Sequence, residues 1–498
     1  MAARKKKRRA ARAPLPRKQD REASGTLSAR LVSHVTLEVH ADGTLAVSVG
    51  GQSVGLGRVS AGAAERAQEL RTGLPLDSFA SEGQASDQDI DRLVRRLAGH
   101  GLIEYRLGRR QNADLIVIEP QLPDYWPQTP KLGDADVLAL SRFAYLRRRG
   151  NDLVLESPRA GALFKICEPK IATALARLSM ARPIKWLRRQ DGFPGVDLLA
   201  LLVDCHILFK VDPARASGLR PDEGDAGLVL WDFHDLLFHA RSTQGRHANP
   251  LGGVYPYVGV MAPPPAVRSP WPGQKIDLGE VPAASTETLS PIGKVLRERH
   301  STRVFDEQRP ITLADVARLL GATARVQAKF KSSLDGDDSP QVEFAPRPYP
   351  SGGGSWELEL YLAVDTCDEL PRGFYHYDAD AHALVPIDVR APELDALLMG
   401  AAFAMGAPAA PQILITIAAR FGRVSWKYSS LAYSLILKDV GVLLQTLYLM
   451  ATDMGLGGCA IGSTDIELFA RLTGLPFHVE GAVGQFALGR GGERPGSE

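Results

Sequence analysis

The sequence predicts an α+β protein: a C-terminal antiparallel-rich sheet flanked by helices, preceded by two winged-helix-like units. Residues 35–59 alternate between polar and apolar side chains around glycine turns, which is typical of antiparallel hairpins. Helices with apolar residues at three- and four-residue spacing alternate with short strands further along the chain. The longest apolar pattern predicts a helix over 437–454, inside the central stretch 424–465, that ends in a glycine-rich turn at Gly455, Gly457 and Gly458.

Composition predicts a globular chain of several domains. The 498 residues are 45% hydrophobic and 23% charged with a net charge of +2, and two to four domains of about 100–200 residues are expected. The predicted divisions are a disordered basic tail over 1–26, winged-helix-like units over 27–125 and 126–215, a helical connector with a proline-rich linker over 216–280, and an α+β domain over 281–498.

Several classes of protein are disfavoured. No apolar run approaches the about 20 residues of a membrane span, and no apolar segment follows the basic N-terminus as in a secretory signal. The four cysteines are scattered, which predicts a reducing cytoplasm and no structural zinc. His234 and His239 are five residues apart, on different faces of a predicted helix, so we expect no metal site there. The basic tail could contact nucleic acid, an acidic partner or only solvent.

The two N-terminal units are predicted from a weak internal repeat. Placing His100 on His206 aligns Leu93, Leu97 and Leu102 with Leu199, Val203 and Leu208. Apart from three arginines between residues 92 and 96, their helices lack the basic clustering that phosphate contact requires, which disfavours nucleic acid as a partner. A strand edge beside a helix could instead bind an extended peptide.

The elements of the C-terminal half follow from caps and alternation. Thr312 with Asp315 three residues later predicts a capping box. The predicted helices are 291–299 and 312–322, and the predicted strands are 356–364, 373–377, 412–419 and 481–489.

Two short motifs in this half could bind a ligand. Arg299-His300-Ser301-Thr302-Arg303 offers two guanidinium groups and a hydroxyl, which suits a phosphate but equally a surface ion-pair network. The segment Pro350-Ser351-Gly352-Gly353-Gly354 exposes backbone amides, which suits a planar ligand but equally a flexible turn.

The order of these motifs is more specific than each alone. The arginine motif, the Pro-Ser-Gly-Gly turn, the long helix with Gly455-Leu456-Gly457-Gly458, and Leu488-Gly489-Arg490 together resemble the nitroreductase-like flavoenzymes. Within them the chain resembles the SagB-type dehydrogenases, the FMN-dependent azoline oxidases that include the cyanobactin and microcin B17 oxidases. The segments after Gly373 and at Phe238 also suit that group. The resemblance covers most of 130–490.

The resemblance implies a cytoplasmic homodimer with two FMN molecules at the subunit interface. Implied for the phosphate and ribityl end are Arg299, His300, Ser301, Arg303 and Arg490. Implied beside the isoalloxazine ring are Pro350, Ser351 and Gly352 of the other subunit, with the backbone at Gly458, Ala460, Ile461 and Gly462 facing the ring. A precursor peptide is the implied substrate, a cyclodehydratase the implied partner and oxygen the final electron acceptor. The apolar surface of helix 437–454 independently favours a dimer.

Lys427-Tyr428 matches the Lys-Tyr pair of that family. Converting an azoline to an azole removes one hydride and one proton, and the proton needs a base. A free tyrosine (pKa ~10) or lysine (pKa ~10.4) is protonated at neutral pH. A neighbouring cation lowers the pKa of a phenol and burial lowers that of an amine, so the two together make an acid–base pair. Tyr428 as the base with Lys427 as its modulator is preferred, and the reverse stays open. Both can reach one site only from a loop or helix start.

Two alternative functions remain. One is an NAD(P)H-dependent nitroreductase of small electrophiles, which would need neither the Lys-Tyr pair nor the large N-terminal half. The other is a winged-helix protein that binds nucleic acid or a peptide without catalysis, which the ordered flavin motifs disfavour.

Overall fold

The computed structural model describes residues 25–40, 42–49, 52–79, 85–108, 114–211, 223, 225–249, 252–270, 272–279, 290–333 and 340–491. The predicted tail at 1–26 therefore lies almost entirely outside the described residues. In the predicted proline-rich linker, the residues between 252 and 279 that the structure describes form no helix or strand and are exposed.

The N-terminal half contains two successive series of elements. The first is β1 (Thr26–Leu31), β2 (Val35–Val39), β3 (Thr44–Val49), β4 (Gln52–Arg58), α1 (Ala61–Ala67), β5 (Leu74–Pro75), α2 (Ala85–Gly99), β6 (Ile103–Gly108) and β7 (Asp114–Pro120). The second is β8 (Val137–Leu140), β9 (Tyr145–Arg149), β10 (Asp152–Glu156), β11 (Ala162–Ile166), α3 (Pro169–Ala176), β12 (Arg182–Pro183), α4 (Ile184–Leu187), α5 (Val196–Asp204) and β13 (Leu208–Lys210).

These series repeat each other in topology. In the first, β1 pairs with both β5 and β6; in the second, β8 pairs with both β12 and β13. Each first strand is followed by a three-stranded antiparallel run, then by helices and a closing strand. A central first strand was not part of the sequence prediction, and the winged-helix designation of the two units stays a prediction.

The register of the sequence repeat was wrong by one residue. Two residues after the end of each closing helix lies a residue with positive φ, Gly101 at +70° and His206 at +54°. After it, the amide of Leu102 donates to the Leu97 carbonyl as the amide of Ile207 donates to that of Leu202. His206 therefore corresponds to Gly101 rather than to His100, because the left-handed turn residue fixes the alignment.

The two repeats share one sheet and one core. Strand β7 pairs with β11, which produces a seven-stranded sheet in the order β5-β1-β6-β7-β11-β10-β9. A single cluster of buried apolar residues extends from Ala29 to Leu208. The predicted boundary near residue 125 therefore lies within one packed body.

Arg246 joins this body to the C-terminal half, just after the connector helix α6 (Phe233–Ser242). Its guanidinium forms an ion pair with Glu467 and donates to the carbonyls of Pro158 at 3.0 Å and Arg159 at 2.5 Å. It also lies 4.4 Å from the centre of the Phe477 ring. Since a buried guanidinium needs partners in every direction, this residue fixes the relative position of the two halves.

The C-terminal half begins with α7 (Pro291–Glu298), β14 (Ile311–Thr312), α8 (Leu313–Thr323), β15 (Phe330–Ser333), β16 (Gln341–Phe344), β17 (Leu358–Val364), β18 (Cys367–Asp368), β19 (Gly373–Asp378) and β20 (Ala383–Ile387). It continues with α9 (Ala391–Met405), β21 (Ile413–Arg420), α10 (Phe421–Ser425), α11 (Ala432–Asp453), β22 (Gly457–Ile461), α12 (Ile466–Thr473) and β23 (Glu480–Gly489).

Its main sheet is antiparallel throughout, in the order β20-β19-β17-β21-β23-β22. The predicted antiparallel-rich sheet with flanking helices is confirmed, and so is the capping box of Thr312 and Asp315. The predicted glycine-rich turn is wrong in part. Gly455, at φ +68°, follows the helix, but Gly457 and Gly458 already belong to edge strand β22. They lie so close to Thr302 and Phe486 that a Cβ would overlap them.

Helix α11 is the central helix of this half. It passes the length and composition test for a membrane span, with a mean hydropathy of 1.4, although we expected no such run. Nine of its 22 residues are buried within the chain, whereas apolar residues such as Leu437 and Leu444 stay partly exposed. Part of the apolar surface that favours a dimer is therefore open in the single chain. Exposed apolar side chains also lie on α7 and α9, among them Ile292, Leu296 and Phe403.

We predict that Arg246→Ala lowers the free energy of unfolding by about 3 kcal/mol, because Glu467 and two carbonyls lose their buried partner. Urea unfolding followed by tryptophan fluorescence measures this, since Trp231 packs at the same junction. Arg148→Ala, which removes an exposed arginine of β9, is the matched control and should change stability by less than about 0.5 kcal/mol. Equal effects of the two substitutions would contradict the role of Arg246.

Candidate active site

Lys427 and Tyr428 lie in the turn between α10 and α11, and both reach Gly353. The Lys427 ammonium donates to the Gly353 carbonyl at 3.0 Å and lies 5.4 Å from the centre of the Tyr428 ring. A Cβ at Gly353, where φ is +62°, would overlap the Tyr428 hydroxyl and approach the ammonium. The turn therefore meets the condition that adjacent side chains share one site. Lys427 is exposed in the single chain, whereas the acid–base argument from sequence relied on burial of its amine.

The Pro350–Gly354 segment, here called the serine-glycine loop, is held by α11. The Asp439 carboxylate accepts from the Ser351 hydroxyl and from the Gly352 amide, each at 2.8 Å. The Ser351 oxygen in turn accepts from the Trp356 amide at 2.9 Å. The loop is therefore fixed from both sides rather than flexible.

A second carboxyl group, Glu357, lies behind this loop. It is 0% exposed, and its Oε2 is 3.2 Å from the Ser351 hydroxyl, while its Oε1 has no hydrogen-bond partner among the described residues. Burial, with the neighbouring charge of Asp439, raises the pKa of Glu357 to about 7. Near neutral pH the Glu357 carboxyl group is therefore protonated in a substantial fraction of the molecules.

The arginine motif lies at the other end of α11, around Tyr448. The Tyr448 hydroxyl is 2.8 Å from the Ser301 hydroxyl and accepts from the Ala460 amide at 2.7 Å. The Arg299 guanidinium lies over the Tyr448 ring, 5.0 Å from its centre. This arrangement aligns the motif with the end of β22.

Arg303 lines a cavity of about 390 Å³ beside β22. The backbone of 459–463 forms one wall, and Ala404 and Met405 contribute to another. Arg303 is exposed and forms no ion pair with any residue in the described ranges. A free guanidinium beside open backbone can bind an anionic group.

The remaining predicted site residues have structural contacts. His300 is exposed and bonds to the Glu298 carbonyl. Ile461 is buried, whereas Gly462 is exposed at the cavity wall. Arg490 differs most from expectation, since its guanidinium donates to Asp315 at 2.7 Å and to the Pro310 carbonyl at 3.0 Å. It is thus already paired in the single chain.

The serine-glycine loop and the arginine motif of one chain lie on opposite faces of α11. Asp439, which binds the loop, and Tyr448, which binds the motif, are nine residues apart. At 3.6 residues per turn this is 2.5 turns, or about 14 Å along the axis and half a turn around it. The two parts of the predicted site therefore face away from each other within one chain.

The described residues contain one trio of potential metal ligands, Asp232, His234 and Asp235. The carboxylate of Asp232 accepts from the Ser430 amide, and that of Asp235 accepts from the Tyr433 amide at 3.3 Å. Both acids therefore serve to fix the start of α11 next to the Lys-Tyr pair.

Sequence reasoning missed Asp439, Tyr448 and Glu357. Asp439 carried a usable signal, because a carboxylate inside an apolar helix must find a partner. Tyr448 lies within the apolar pattern that predicts helix 437–454, so its hydroxyl gave no separate signal, and nothing in the local pattern distinguishes Glu357 from a surface glutamate.

Two protein families match the chain. Residues 296–490 match the nitroreductase family, and residues 138–248 match the cyanobactin oxidase ThcOx family. These matches confirm the resemblance found in the motifs and the nitroreductase-like α+β fold. They also support an oxidoreductase.

Individual relatives are more distant. A predicted nitroreductase of Methanocaldococcus jannaschii is 29% identical over 173 residues, which is 34% of this chain and 77% of that protein. The Escherichia coli microcin synthetase McbBCD complex with truncated pro-MccB17 aligns with 19% identity and a TM-score of 0.38, over 54% of this chain and 97% of that one. A nitroreductase-like structure from Ralstonia eutropha aligns with 22% identity and a TM-score of 0.31, over 46% and 98% of the two chains.

We predict that Glu357 makes stability depend on pH. Its pKa of about 7 in the folded chain lies above the ordinary 4.5. The contribution of Glu357 to the free energy of unfolding is therefore complete below pH 4.5 and is lost as pH rises through 7. Glu357→Gln keeps a neutral group, so at pH 8 the variant should be more stable than the natural chain by about 1–3 kcal/mol. At pH 5 the two should be nearly equal.

Urea unfolding at the two pH values measures this difference. Glu307→Gln, at an exposed position, should show a difference from the natural chain that does not change with pH. A Glu357→Gln variant with the same behaviour as that control would show that Glu357 is ionised throughout.

Proposed function

We propose that this chain, which matches the nitroreductase family over 296–490 and the cyanobactin oxidase family over 138–248, is an FMN-dependent azoline oxidase. It would convert thiazoline or oxazoline rings of a ribosomally made precursor peptide to thiazoles or oxazoles. The observation that carries the proposal is the convergence of Lys427 and Tyr428 on Gly353 of the serine-glycine loop. Aromatisation requires a base next to the flavin, and this loop is the proposed contact for the flavin ring.

The residues present fit FMN. The cavity beside β22 has an unpaired guanidinium at Arg303 for a phosphate, and the exposed backbone of Gly462 leaves room for close approach. Ser351 and Gly352 form a rigid surface in the serine-glycine loop, for the ring of the cofactor. When bound, FMN would supply the hydride acceptor, with oxygen as the final oxidant.

The chain's own residues would handle the proton. Conversion of azoline to azole removes a hydride and a proton from the ring, and in the proposed step Tyr428 or Lys427 would take the proton. The Lys427 ammonium lies 5.4 Å from the centre of the Tyr428 ring, so the two groups are close enough to act as a pair, with Tyr428 as the preferred base and the reverse assignment open. The bond from Lys427 to the Gly353 carbonyl orients the pair toward the loop.

A homodimer would complete the site. The serine-glycine loop and the arginine motif lie on opposite faces of α11. The arginine motif of one subunit would therefore bind the cofactor against the serine-glycine loop and Lys-Tyr pair of the other. The exposed apolar residues of α7 and α9 supply surface for such an interface. Contact with a cyclodehydratase, which makes the azoline, would then deliver the peptide.

We predict that the purified protein is yellow and that heating releases FMN. Arg303→Ala should raise the FMN dissociation constant about tenfold or more, because a charge-assisted hydrogen bond to phosphate is lost. Arg92→Ala, at an exposed position in the N-terminal half, should leave it unchanged. A colourless protein that takes up no FMN on reconstitution would contradict both the oxidase proposal and the reductase alternative.

We predict that Lys427→Ala and Tyr428→Phe each retain FMN yet reduce azoline turnover by about 100-fold or more. Mass spectrometry follows azole formation as a loss of two hydrogen atoms. Full turnover in both variants would remove the pair from the mechanism. NAD(P)H-dependent reduction of small electrophiles without azoline oxidation would favour the reductase instead.

The shared site makes a further prediction about mixed dimers. When Arg303→Ala and Lys427→Ala chains are mixed at random, half of the dimers combine both, and each such dimer has one intact site. At an FMN concentration too low to fill the weakened Arg303→Ala sites, activity should therefore recover to about a quarter of the natural level. Activity no greater than that of the two separate variants would show that each site is built within a single chain.

A further inference from the structure

A groove of about 530 Å³ opens beside Lys427 and shares no lining residue with the cavity beside Arg303. Its floor includes Gly353 and Gly354, and Lys427 stands at its wall. Strand β16 forms one side, and residues from the connector and from the start of β23 form the other. The groove therefore joins the proposed reaction point to both halves of the chain.

Apolar side chains border this groove and are left open to solvent. Trp426 is 55% exposed, Val479 is 42% exposed and Leu230 is 38% exposed. All three line the groove. Large apolar groups gathered at a concave site beside reactive residues are typical of a binding surface.

The groove also has a rigid polar frame. The Arg423 guanidinium donates to the Ser355 carbonyl at 3.0 Å and to the Glu343 carbonyl at 3.1 Å. It thereby ties β16 to the residue that follows the serine-glycine loop. Within the described part of the chain, β16 pairs only with β15.

We propose that this groove binds the peptide residues that flank the azoline, with an apolar side chain seated against Trp426, Leu230 and Val479. This inference rests on the proposed function and goes beyond it by assigning the residues that select the side chain next to the ring. A five-membered ring at Lys427 would leave most of the groove empty, whereas several residues of an extended chain would fill it.

The position of Leu230 extends the role of the N-terminal half. Leu230 precedes connector helix α6, and its neighbour Trp231 packs on Phe421 of α10. The connector therefore contributes directly to peptide selection at the reaction point, in addition to any contact made by the repeats.

The test compares two substrates. One is a thiazoline carboxamide with no peptide attached, and the other is the same ring inside a heptapeptide with leucine next to it. For Trp426→Ala and Leu230→Ser, the ratio of kcat/KM for the heptapeptide to that for the free ring should fall about tenfold, mainly through KM. Val385→Ala, at an exposed apolar position on β20, should leave the ratio unchanged.

A binding measurement separates this inference from the proposed function. The thiazole heptapeptide, which is the product and needs no turnover, is titrated into the protein and its binding is measured by isothermal titration calorimetry. Its dissociation constant should rise about tenfold in Trp426→Ala and Leu230→Ser. Normal binding of this peptide without oxidation of either azoline would overturn the oxidase proposal and keep the groove. If both variants kept the kcat/KM ratio of heptapeptide to free ring and also the peptide affinity, the proposed role of the groove in peptide binding would be wrong.

Discussion

The structure of the C-terminal half depends on one constraint: an apolar core helix carries polar groups that must be satisfied. Asp439 of α11 finds its donors in the serine-glycine loop. Tyr448 finds its partners in the arginine motif and in β22. The free amides at the start of α11 find theirs in Asp232 and Asp235 of the connector. Because an unpaired buried polar group costs several kcal/mol, the helix determines where each part of the site lies.

Much of the fold could be predicted from the sequence because its signals are local. The hairpins at residues 35–59, the capping box at Thr312 and the positions of the main helices each depend on a few neighbouring residues. Strand β22 was missed because glycines 457 and 458 are typical of turns. Their place in a strand depends on the close approach of Thr302 and Phe486, which is a contact distant in sequence.

The site was predictable in its members but not in its arrangement. The order of the motifs led to the arginine motif, the serine-glycine loop and the Lys-Tyr pair, and the structure places the last two together at Gly353. The arginine motif lies on the opposite face of α11, and this position depends only on how the helix packs in the folded chain. Arg490 shows the same limit, since its pairing with Asp315 arises from the capping turn of another helix. Glu357 became notable only through burial against Asp439.

The pairing of β7 with β11 has a consequence for how the chain can be divided. It joins the two repeats through the middle of one sheet. A shortened chain that begins after the first repeat would carry β11 with a bare row of backbone amides and carbonyls where β7 had been. Such an edge pairs readily with the same edge of another molecule, so the fragment would tend to self-associate. The first repeat therefore acts as a cover that keeps the second one monomeric along this edge.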